Sequence, residues 1–286
     1  MPELPIIKGG VRNAERTDVR TFSRAAYFGA MHPDQLPEYD FDVGVPVTIK
    51  DQGDTDFCTA AALMAVSELH EGVELSMEYQ MALTKELEGN PETWGADPLD
   101  ALKVVVNVGS LDVNNAPFTL ALNGRDYCAN IRNWPPHLRE LAKAHKKKAF
   151  FKVDGNNELF DSIRSALWLN RAHNRAVFAG IYWQEGWTGA AGGVIPALAV
   201  ASKETGVPHA LAIIGQKNIG GRLYLKAQLS NGTAIGDAGF FFLPRDIANQ
   251  LVFAYTVEDA DPEDVKRQTW DWRARLKNFL VDLFTR

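Results

Sequence analysis

Cysteine is scarce: Cys58 and Cys128 are the two in 286 residues. At most one disulfide can form, which excludes a disulfide-stapled scaffold. Apolar runs are short, none reaching the ~18 residues of a membrane-spanning helix. The opening stretch MPELPIIKGGVRNAERTD lacks the basic start, apolar core and small-residue cleavage site of an export signal. These absences predict a chain of the cytoplasm with no membrane span. Excess positive charge is missing too. A net charge of -6 offers no basic face to a nucleic acid, and the one basic stretch, RELAKAHKKKAFFK at 139–152, reads as a solvated helix face running into a strand. No two of the six histidines keep a metal-ligand rhythm with Cys or carboxylates, so no metal is expected. The glycine clusters lack a P-loop lysine and a strand-to-helix dinucleotide fingerprint, so no nucleotide or other cofactor is expected.

What is present is an ordinary globular composition, 46% hydrophobic and 23% charged, in a chain long enough to bury a core. Residues 1–40 are rich in Pro, Gly and charge without a sustained period, and read as an arm lying on the folded body. PVTIK at 46–50 reads as a short strand, followed by the polar turn DQGDTD. FCTAAALMAVSELHEG is built of good helix formers and is apolar almost all round, which marks a buried helix stopped by Gly72. Helices are also expected at 75–89, at 97–109 with Asp97 as N-cap and Pro98 in the first position, at 137–147, and over NELFDSIRSALWLNRA.

From Ala176 onward short apolar runs alternate with glycines: AVFAGIYW, HALAIIGQK, RLYLKAQLS and GFFFLPRDIA. They read as strands of an antiparallel sheet. The fold class is therefore α+β, with a helical lobe over about 51–135 and a β-rich lobe over about 148–255. Residues 256–286 read as a C-terminal amphipathic helix, with Trp272, Leu276, Leu280 and Leu283 on one face, that either packs on the body or docks a partner or a second copy.

Acyl transfer by a cysteine needs a thiolate, a base, an oxyanion donor and a group that orients the base. Cys58 falls in the first turn of the buried helix, where free N–H groups and the helix dipole are expected to lower a thiol pKa. Gln52, six residues upstream, is placed to share an oxyanion hole with the Cys58 N–H. The plainer reading of Cys58 is a small buried hydrophobe.

The run DQGDTDFCTAAA resembles the active-site motif of papain-family cysteine peptidases, in which a glutamine precedes the nucleophile by six residues; the DQG opening and the CTA are closest in style to bacterial members. VPHALAIIGQK is similar to that family's histidine strand, and GTAIGDAGFFFLP to its glycine-rich return. The resemblance covers about residues 40–255. It implies a two-lobe papain-like fold with an antiparallel, barrel-like right lobe, Cys58 as nucleophile, His209 as base, Gln52 in the oxyanion hole, a peptide or protein substrate, and no cofactor.

Three departures from the pattern bear on activity. The family's base-orienting Asn aligns with Leu229, since Leu223, Leu225, Ala227 and Leu229 share one strand face; Asn231 would take the role only through a slip or bulge. Asp56-Phe57 replaces the Gly-Ser pair before the nucleophile, and a carboxylate there raises a thiol pKa. Thr55 stands in place of a disulfide cysteine. The expectation is a cysteine endopeptidase, and the alternative is a catalytically degenerate papain-like peptide-binding or assembly module.

Overall fold

The computed structural model describes residues 7–16, 22–90, 93, 95–115, 134–154, 158–197 and 200–259. The expected tail helix from residue 260 onward and Cys128 lie outside the described residues. Helix α1 (Arg24–Phe28) precedes α2 (Cys58–Glu71), α3 (Met77–Glu88), α4 (Pro98–Asn107), α5 (His137–Ala142), α6 (Leu159–Asn170) and α7 (Arg245–Ala248). The strands are β1 (Phe22–Ser23), β2 (Phe41–Asp42), β3 (Ala149–Lys152), β4 (Val177–Trp183), β5 (Val207–Ile219), β6 (Arg222–Gln228), β7 (Phe240–Pro244) and β8 (Phe253–Glu258). They form one sheet in the order β1-β3-β8-β4-β5-β6-β7, with β2 added to β5.

Helix α2 is the wall shared by the two halves. It packs on α3 and α4 on one side and on β4 and β5 on the other, so an apolar surface all round is what its position demands. Every residue from Cys58 to Leu69 is buried, and each large side chain among them contributes about 1.5–3 kcal/mol of hydrophobic free energy. Gly72 ends the helix in the left-handed conformation, its N–H donating to the Glu68 carbonyl. Asp97 caps α4 by accepting from the Leu99 and Asp100 N–H groups, with Pro98 in the first turn. The basic stretch is α5, a 3-10 turn and β3, as its pattern implies.

Four expectations change. PVTIK at 46–50 is not a strand: Val45 and Val47 are exposed, and the apparent alternation fails because the buried side chain is Lys50, drawn inward by a carboxylate. GFFFLPRDIA splits at Pro244 into β7 and α7. The tail helix does not begin at 256, because β8 runs to Glu258 between β3 and β4; all six β8 residues are buried, and burial on both faces erases the alternation that marks a strand. The arm does more than lie on the body, since β1 pairs in parallel with β3 at a sheet edge.

Residues 50–52 are fastened twice. Lys50 and Glu68, both buried, form an ion pair; Lys50 also donates to the Leu75 carbonyl at 3.1 Å, and Glu68 accepts from the Leu75 N–H at 2.7 Å. On the other side the Gly232 N–H donates to the Lys50 carbonyl and the Gln52 N–H to the Ser230 carbonyl. Burial pushes the Glu68 carboxyl up to about 7, against the pull of Lys50. Removing one member leaves the other charge buried, so Glu68→Ala is expected to destabilise the protein by about 3–5 kcal/mol in denaturant unfolding, whereas Glu140→Ala on α5, whose side chain is 70% exposed and paired with the likewise exposed Lys143, costs distinctly less.

Candidate active site

The order of the chain brings the three sequence-predicted residues to one seam. Cys58 is the first residue of α2, with Phe57 as its non-helical cap residue, and its sulfur lies against the backbone of Ala210 on β5 and of Gly10. His209, one residue before Ala210, is paired across the sheet with Ile181, and its ring stands 6.3 Å from that of Trp183. Trp183 is in turn fixed by edge contacts with Phe241 and Trp187. Gln52 enters from the fastened segment. The Ser230 hydroxyl donates to Gln52 Oε1 at 2.5 Å, which sets the amide so that its nitrogen faces the seam. That nitrogen donates to the Thr55 carbonyl at 2.6 Å and lies 3.5 Å from the Lys8 carbonyl, at the edge of hydrogen-bonding range.

Lys8 belongs to a segment that sequence patterning did not place: residues 7–12 run extended through the seam and cover it. Cys58, His209 and Gln52 are each 0% exposed. The Gly10 carbonyl accepts from the Ala96 N–H at 2.7 Å and the Thr59 hydroxyl at 3.0 Å. The Arg12 N–H donates to the Ala96 carbonyl at 2.9 Å, and the Val11 N–H to the Pro208 carbonyl at 3.3 Å. One stretch of backbone is therefore bonded to both walls.

Ion pairs hold its flanks. Lys8 Nζ donates to the Asp54 carbonyl at 3.0 Å. Arg12 pairs with Glu88 at 3.1 Å, Arg16 with Asp97 at 2.8 Å and Asp100 at 2.9 Å, and Glu15 with Lys203 at 2.7 Å. The signal in the sequence was the adjacent pair Gly9-Gly10 in KGGVRNAER, a stretch that carries no period and so reads as loop.

Burial dictates the protonation states. It pushes the Cys58 thiol up to about 12, with the Asp56 charge adding to the rise and the polar groups of Ala210, Gly10 and Thr59 offsetting only part of it. The expected lowering by the helix start is thus overturned in this covered state, because desolvation of a thiolate outweighs the helix dipole. Burial likewise pushes His209 down to about 4; the nearby Lys8 carbonyl opposes this weakly, and among the described residues neither ring nitrogen makes a hydrogen bond of regular geometry. Thiol and imidazole are both neutral near pH 7.

No protein-family model matches the sequence, and no curated protein matches it. Solved structures do. Xylellain, a cysteine protease from Xylella fastidiosa, superposes with a TM-score of 0.68 at 19% identity over 91% of this chain and 99% of that one. Digestive procathepsin L 3 of Tenebrio molitor larval midgut gives 0.59 at 16% identity over 86% and 76%. The bromelain protease from Ananas comosus, in complex with the E64 inhibitor, gives 0.57 at 16% identity over 78% and 99%.

The fold is that of the papain-like cysteine proteases. Leu229, expected above to stand in place of an orienting Asn, lies one residue past the end of β6 and is 1% exposed. The backbone of Asn231, the other candidate, pairs with Asp51, and among the described residues its side-chain oxygen and both imidazole nitrogens make no hydrogen bond of regular geometry. Among the described residues no three His, Cys, Asp or Glu side chains are grouped to hold a metal ion, and no helix is long and apolar enough to cross a membrane.

The depressed His209 gives a pH dependence of known sign. A base whose covered-state pKa lies below its free value of about 6.5 takes up a proton when the structure opens. Its contribution is complete above pH 6.5 and falls as the pH drops toward about 4, by on the order of 3 kcal/mol in all. Glu68, with a raised pKa, works in the opposite direction over part of this range. The clean measurement is therefore a difference: the gap in melting temperature between the protein and its His209→Gln variant should narrow steadily from pH 6.5 to 4.

Proposed function

We propose that the chain is a cysteine peptidase of the papain-like type, working through a Cys58–His209 dyad with Gln52 in the oxyanion hole, and that residues 7–12 hold it latent. The observation that carries this reading is the convergence of the three side chains on one seam, each fully buried beneath an extended segment of the same chain. Neighbours in the fold are cysteine proteases, one of them a procathepsin.

With the segment displaced, water re-enters and the thiol and imidazole return toward their ordinary pKa values, close enough together for an ion pair to form. Cys58 then attacks a substrate carbonyl, and the developing oxyanion is met by the Gln52 amide that Ser230 has aimed. His209 protonates the departing amine and afterwards deprotonates the water that frees the acyl group. Leu229 offers no hydrogen bond to the imidazole, so the dyad runs without an orienting partner and turnover is lower than a full triad would give, though the nucleophile and base remain. Substrate is a peptide or protein chain, and the compartment consistent with two cysteines and no apolar span is the cytoplasm.

Displacing the segment within the intact chain tests both halves. A side chain at Gly10 overlaps the Asp56 carbonyl oxygen and comes within 2.9 Å of the Cys58 sulfur, so Gly10→Leu should drive the backbone out of the seam. The expected results at pH 7 are slow alkylation of Cys58 by iodoacetamide in the parent protein and alkylation at least about tenfold faster in Gly10→Leu, together with hydrolysis of casein that Cys58→Ala abolishes. Fast labelling without hydrolysis in a folded variant would instead identify a peptide-binding module.

A further inference from the structure

The backbone that fills the seam is Lys8-Gly9-Gly10-Val11, and the two glycines stand where the walls come closest. A methyl group at Gly9 would lie 2.9 Å from the Pro208 carbonyl oxygen and 3.1 Å from the Val207 Cβ; one at Gly10 would overlap the Asp56 carbonyl and touch the Cys58 sulfur. Neither glycine has a positive φ. Space, not backbone conformation, excludes a side chain. The Gly10 carbonyl also passes over a third glycine, Gly95, whose own Cβ would come within 2.6 Å of it.

The walls themselves are backbone and are held in place. Asp56 is buried, and its carboxylate accepts from the Gly95 N–H, tying the turn before Cys58 to the loop before α4. Pro208 is fixed within β5, paired with Tyr182 of β4. A tip of a flexible side chain can swing aside for a methyl group, but a carbonyl locked between a helix start and a neighbouring loop, or inside a sheet, moves only with its element. The residue pair Asp56-Phe57, which departs from the family pattern, thereby contributes to the gauge through its main chain.

We infer that the trough over Cys58 is a glycine gauge, and that the substrate of the proposed peptidase is a chain presenting a Gly-Gly pair at the thiol. This rests on the peptidase reading above and narrows its substrate class. Residues outside the pair are recognised by main-chain bonds to Ala96 and Pro208, which place no demand on side-chain identity, so the gauge itself is the discriminating feature. A single excluded methyl group is worth roughly tenfold to a few hundredfold in substrate discrimination.

The test uses full-length Gly10→Leu and, as an independent opening that leaves Gly9, Gly10 and the walls unchanged, the Arg12→Ala, Arg16→Ala double variant, which cuts the flanking ion pairs. Four unstructured decapeptides identical except for a central Gly-Gly, Gly-Ala, Ala-Gly or Ala-Ala are offered to each, for hydrolysis with Cys58 intact and for binding with Cys58→Ala added. The expected result is that Gly-Gly is bound and hydrolysed at least about tenfold better than Ala-Ala in both backgrounds. Discrimination in binding without hydrolysis would uphold the gauge and refute the peptidase. Equal hydrolysis of all four would overturn the gauge and leave the peptidase standing, and equal binding of all four, or binding of none, in folded variants would likewise overturn the gauge.

Discussion

Desolvation at the seam between the start of α2 and strand β5 is the constraint on which the site depends. Water is excluded there by backbone, not by a bulky lid: residues 7–12 bring carbonyls and N–H groups that bond to the Ala96 and Pro208 main chain and the Thr59 hydroxyl, and leave Cys58 and His209 fully buried. The effect on the two titratable groups is symmetrical. An anionic thiol and a cationic imidazole are both penalised by burial, so each is held neutral, the thiol pushed up to about 12 and the imidazole down to about 4. A helix terminus offers the equivalent of about half a charge, which is too little to hold a thiolate once water is gone. On the proposed reading, latency is a property of the dielectric as much as of steric blockage.

The second support is the segment 50–52, which translates a buried ion pair into the aim of one amide. Lys50 fastens it to α2 through Glu68, and the 230–232 backbone fastens it to the end of β6. Gln52 is thereby held by elements that belong to both sides of the cleft. Ser230 then removes the last freedom, because a hydroxyl donating to Oε1 leaves the other end of the amide as the one facing the seam. Leu229, next to it, is buried and has no side-chain group that could hydrogen-bond an imidazole.

How much of this was legible in the sequence follows from the range of the interactions. Local signals were reliable: Gly72 as a left-handed stop, Asp97-Pro98 as a helix start, and the all-apolar face of α2. Gln52, Cys58 and His209 were singled out through a resemblance in short motifs; the structure buries all three against residues 8–10, and their catalytic roles belong to the proposal. What failed depended on partners far along the chain. Lys50 looked like the polar edge of a strand because Glu68 was not in view, and β8 looked like the lead into a helix because two neighbouring strands bury both its faces. The arm was the hardest to read, since an extended segment bonded to loops has no period at all; its two glycines gave the one clue, and glycine pairs more often mean a turn.

The proposed latency asks that the segment be both firmly seated and releasable, and the flanking charges bear on both. Asp97 is 1% exposed and Glu88 2% exposed, so the departure of Arg16 and Arg12 might be expected to strand two buried carboxylates at a cost of several kcal/mol each. Each, however, has other partners that stay behind. Asp97 keeps the Leu99 and Asp100 N–H groups of the α4 cap, and Glu88 keeps Lys85 and the Asp97 N–H. Asp100, despite burial that pushes its carboxyl up, is held below the ordinary range by Arg16 and by Lys103, and Lys103 belongs to α4 and remains. The carboxylates are therefore satisfied with or without the arm, and the arginines return to water on leaving. The covered and uncovered states then differ by a few modest ion pairs and main-chain bonds set against the renewed hydration of Cys58 and His209. A balance of that kind can be tipped by a single side chain placed at Gly10, because the helical lobe and the sheet supply their own support and ask nothing of the arm beyond its presence.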